Sequence, residues 1–98
     1  MTDFSPPDKG FFDRADAHIA MSNDQCKDAE KGRVSASMMF ASARFNAWLS
    51  ATGWQNGEDM KASRDETIDF FVNNYRKMLE ENMDDYIRNH EQYLKVRK

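Results

Sequence analysis

Residues 33–54, RVSASMMFASARFNAWLSATGW, constrain the fold more than any other stretch, because Arg33 and Arg44 are their only charges. Val34, Met38, Ala41, Phe45, Trp48, Leu49 and Thr52 recur at helical spacing, and Ala36, Phe40, Ala43 and Ala47 make a second row. A helix apolar on two sides is expected to be buried on two sides. The spacing therefore predicts a central helix over about 33–52, with the other helices packed on it. Its alanines and serines would let neighbouring axes approach closely. Gly53 is placed to end it in the left-handed backbone region.

Two further helices are expected around this one. The first spans about 9–27, with Phe12, Ala15, Ile19 and Cys26 facing inward, after a loose lead-in over 1–8. Within the lead-in, Ser5-Pro6-Pro7-Asp8 has the order of a helix start, although Gly10 moves the start toward Phe11. Asp28 to Gly32 reads as a polar connection, and Trp54 to Asp59 as a loop with an Asn56-Gly57 turn. Ser63 followed by Glu66 has the pattern of a capping box and opens the longest helix, over about 63–96. Ile68, Val72, Tyr75, Leu79, Tyr86 and Tyr93 form its main apolar stripe, flanked by Phe71, Met78 and Met83. Asp84–Arg88 and Glu91–Lys95 are acid-first pairs one turn apart.

Length gives this last helix a meaning. Unbroken, it would be roughly 50 Å long against roughly 30 Å for the central helix. Its end would overhang while still carrying Met83, Tyr86, Ile87 and Tyr93. The overhang either bends back or packs on another chain, and a second copy is the expected occupant.

Size and composition bound the rest. Ninety-eight residues make one small domain, over 9–98, that often needs a partner to complete its core. A single cysteine excludes an internal disulfide, and with seven methionines it suits a reducing cytoplasm. The start MTDFSPPD has no signal-peptide pattern, and no apolar run approaches the length of a membrane span. A net charge of −3 argues against nucleic acid as partner.

Three phrases carry a resemblance: FFDRADAHIAMSNDQ (11–25), VSASMMFASARFNAW (34–48) and FFVNNYRKMLEENMDDY (70–86). Together they resemble an uncharacterised bacterial family, domain of unknown function 3144, from about Phe11 to Tyr86. The resemblance implies a short, helical, cytoplasmic bacterial protein. It carries no activity, cofactor or site residue to transfer.

Candidate chemistry is sparse. Arg44, in the middle of the apolar helix, could anchor a carboxylate or phosphate, with Asp13, Asp16, Asn46 and Trp48 around it. The simpler reading pairs Arg44 with Asp13 or Asp16 of the first helix, or leaves it at a helix edge with its stem packed. His18 and His90 lack the glutamate three residues earlier that marks a di-iron bundle, since those positions are Ala15 and Ile87. Glu80, Glu81, Asp84 and Asp85 read as a solvated face rather than as an acid–base pair. Cys26 reads as a small buried hydrophobe.

The expectation is an all-α bundle of three helices, a non-catalytic protein completed by self-association with a dimer favoured. Val72, Leu79, Met83, Tyr86, Ile87 and Tyr93 would form the interface, and an unknown protein partner is the other occupant. No cofactor, metal, nucleic acid or membrane is expected. The rival reading is an acidic-ligand binder or enzyme with a pocket around Arg44 between the first two helices.

Overall fold

The computed structural model describes residues 8–95, and side chains through Leu94. The described chain is all-α: α1 (Phe11–Gln25), α2 (Lys31–Ala51), α3 (Gly57–Ala62), α4 (Arg64–Arg88) and α5 (His90–Lys95). Five helices thus stand where three were expected. The chain divides into two compact units, one through Met60 and one from Lys61 onward.

In the first unit, α1 starts at Phe11 after an uncapped Gly10. Asp8 organises this start. Its carboxylate accepts from the Arg14 guanidinium at 2.6 Å and from the Gly10 amide at 3.4 Å. The Arg14 hydrogen bond holds the Asp8 carboxyl below its usual pKa and raises that of Arg14. The Ser5–Pro7 part of the expected helix start lies outside the described residues. The least exposed positions of α1 are Phe11, Ala15 and Ser22, so that of the expected inner face only Ala15 is among them. Phe12 and Ile19 are exposed, and so is Cys26, which caps the helix rather than filling a core.

The helix α2 begins at Lys31, so Gly32 is helical and not part of the connection. Only Val34 and Ser50 of α2 are buried, which corrects the expectation of burial on two sides. α1 packs on α2 and is the shorter of the two, at 15 residues against 21. Val34 sits near their corner, where Gln25, Ala29 and Ser37 line the same shallow groove. Gly53 has no positive φ, so α2 does not end in a left-handed turn. Instead the Thr52 hydroxyl donates to the Leu49 carbonyl at 2.6 Å, and the Gly53 amide turns back to Ser50. Those bonds satisfy carbonyls that the helix end leaves open.

The Asn56-Gly57 dipeptide starts a helix rather than a loop. The Asn56 side-chain oxygen accepts from the Asp59 amide at 2.9 Å, which is the bond of an N-cap residue. Glu58 and Asp59 then place acids in the first turn of α3, where the helix dipole favours them. Ser63, the single residue between α3 and α4, makes no side-chain cap bond, so the expected capping box is not closed.

In the second unit, α4 holds 25 residues, about 38 Å of helix. The expected rod to residue 96 is interrupted at Asn89, whose φ of −115° and ψ of 24° leave helical geometry. Its amide side chain donates to the Asp85 carbonyl at 3.1 Å and to the Asp85 carboxylate at 2.9 Å. Asparagine competes in this way with the regular ladder, which favours a break. α5 then packs on α4, with the Tyr93 and Tyr86 rings 4.9 Å apart, edge to face. The Asp84–Arg88 pair is not formed, and the Lys95 side chain of the other pair lies outside the described residues.

Candidate interaction surface

The side chains of α4 divide into two faces. Thr67, Phe70, Phe71, Asn74, Met78, Asp85 and Asn89 are half-buried. Ile68, Val72, Tyr75, Leu79, Met83 and Tyr86 are exposed and recur at helical spacing, with Ile87 at their edge. Tyr75, Met83 and Ile87 expose 52%, 55% and 68% of their surface. From Ile68 to Ile87 the row runs about 28 Å along the helix. So continuous an apolar row is rarely left in contact with water.

The centre of this row is a shallow groove lined by Val72, Tyr75, Arg76, Leu79, Glu80, Met83 and Asp84. Arg76 and Glu80 stand one turn apart on one rim, and their nearest charged atoms are 3.9 Å apart. Both are well exposed, so this pair adds little stability by itself.

At the C-terminal end of the row, Tyr93 donates its hydroxyl to the Asp85 carboxylate, at 3.2 and 3.1 Å to the two oxygens. That hydrogen bond raises the Tyr93 pKa above its ordinary value, because the carboxylate favours the protonated phenol. Tyr93 is thereby turned toward α4 and is half-buried, unlike Tyr86. By sequence Asp85 is one of four neighbouring acids, Glu80, Glu81, Asp84 and Asp85. Its separate role was marked only by Asn89 and Tyr93, four and eight residues later.

The residues around Arg44 do not converge. Arg44, Asp13 and Asp16 are exposed, and Arg44 forms no ion pair among the described residues. The α1 cation that is paired is Arg14, with Asp8. Asn46 is half-buried, and Trp48 leans on Phe45 at 5.3 Å between ring centroids while remaining 58% exposed. Neither groove described above includes any of these five candidates. Among the described residues, no three His, Cys, Asp or Glu side chains cluster as a metal site would require. Likewise none of the described helices is long and apolar enough to cross a membrane.

Compared with known proteins, residues 11–87 match a family described as "Protein of unknown function (DUF3144)". The fold is similar to the NMR structure of the protein NB7890A from Shewanella sp, with a TM-score of 0.76 and 38% identity over 96% of this chain and 100% of that one. No curated protein matches the chain.

Proposed function

The chain belongs to the DUF3144 family, whose description names no activity, and we propose from its own surfaces that it is a non-catalytic interaction protein which self-associates through α4. The observation that carries this reading is the exposed apolar row from Ile68 to Ile87. Burying such side chains removes apolar surface from water, at about 25 cal/mol per Å². Val34 is the one buried hydrophobic residue among those described, so the chain has much to gain from a partner surface. Of the interface residues read from sequence, Val72, Leu79, Met83, Tyr86 and Ile87 are available on that row, whereas Tyr93 serves the packing of α5. A bacterial cytoplasm is the compartment we assign. The Shewanella source of the similar protein and one free, exposed cysteine support it.

The test is Leu79→Asp, which puts a charge in the middle of the row without touching a buried position. Its solution mass by light scattering should fall below that of the wild type, with unchanged helical circular dichroism. Equal masses for the two proteins would reject α4 as the contact surface.

A further inference from the structure

We propose that α4 pairs antiparallel with the α4 of a second copy, about a two-fold axis between Tyr75 and Leu79, with Arg76 and Glu80 exchanging partners across the join. This rests on the reading of α4 as a self-association surface and adds its geometry.

The groove on α4 has two unlike rims. At about 100° per residue, Arg76 and Glu80 lie on one side of the apolar row, and Phe71, Met78 and Asn82 on the other. From Phe71 to Asn82 the second rim carries no charge, Arg64 lying two turns before it, and its Phe71 and Met78 are already half-buried. An antiparallel two-fold join sets like rims side by side, whereas a parallel join sets each rim against the opposite one. Only the antiparallel arrangement therefore gives Arg76 and Glu80 charged partners in the other copy.

The apolar residues require the same register. Placing Arg76 of one copy beside Glu80 of the other brings Tyr75 to Leu79, Val72 to Met83, and Ile68 to Tyr86 and Ile87. Each large side chain meets another along the full row, and no charge is carried into its centre. Within one chain, the Arg76 guanidinium and Glu80 carboxylate are 3.9 Å apart and exposed, so little is lost when they exchange. The surface is thus complementary to itself in shape order and in charge, which is what a two-fold interface demands.

Charge reversal tests this directly. Arg76→Glu and Glu80→Arg should each weaken self-association, by roughly tenfold, because every rim contact becomes like-charged. Mixed together, the two variants should form a heterodimer of wild-type affinity, seen by native mass spectrometry with one variant isotopically labelled. In a Cys26→Ser background, Tyr75→Cys mixed with Leu79→Cys should oxidise to the mixed disulfide. If the wild type self-associates but mixing restores nothing, or each cysteine variant links only to itself, the antiparallel join is overturned while self-association stands. A wild type that remains monomeric overturns both.

Discussion

Asn56 shows how one side chain can change the reading of a segment. An Asn-Gly pair signals a tight turn, yet here the asparagine oxygen takes the Asp59 amide and a helix follows. Asn56→Ala should cost about 1 kcal/mol of stability, the usual value of such a cap. Chemical denaturation of the two proteins side by side would measure it. Gly32 makes the opposite case. It sits inside α2 without positive φ, and a Cβ added there meets nothing within 4 Å. Gly32→Ala should therefore stabilise the protein by about 0.5 kcal/mol, through the smaller entropy of its unfolded chain. A lowered denaturation midpoint would mean that the first turn of α2 is packed in a way this geometry does not contain.

Among the elements, α5 is tied to α4 through Tyr93. The Tyr93 phenol donates to Asp85 and is half-buried against Tyr86. Tyr93→Phe should keep the ring contact and lose the hydrogen bond, so amide exchange in α5 should quicken while α4 is unchanged. The pH dependence has the same origin. The folded pKa of Tyr93 is raised above its ordinary value of 10.0, so this contact is fully present below pH 10.0 and is lost as pH rises through the folded pKa. Protection of α5 should accordingly fall in strong alkali in the wild type, and show no such step in Tyr93→Phe.

The same elements show what was legible in the sequence. The helical character of 31–51 and 64–88 followed from spacing alone, because apolar side chains at helical intervals are the strongest local signal. The break at Asn89 did not, since asparagine occurs within helices as well as at their ends. Asn74 and Asn82 make the same bond to the carbonyl four residues back, and α4 continues through both. What differs at Asn89 is the second bond, to the Asp85 carboxylate, together with Tyr93 waiting four residues on. Periodicity likewise identified the apolar row of α4 but not its exposure, for an apolar face looks the same whether it meets its own chain or another. The Arg44 group was assembled on residue type alone, and the fold does not gather it.

At the scale of the whole molecule, each unit presents uncovered apolar side chains. Met39, Phe40, Phe45 and Trp48 do so in the first, and the α4 row in the second. Met38, Phe45 and Leu49 of α2 are also exposed at helical spacing, but the seven of α4 make the longer row, which is why we propose α4 as the contact surface. Self-association is read most directly by sedimentation equilibrium of the wild type over a wide concentration series. The mass should rise with concentration toward twice the 11.4 kDa of one chain. A mass that stays at that of a single chain throughout would contradict self-association.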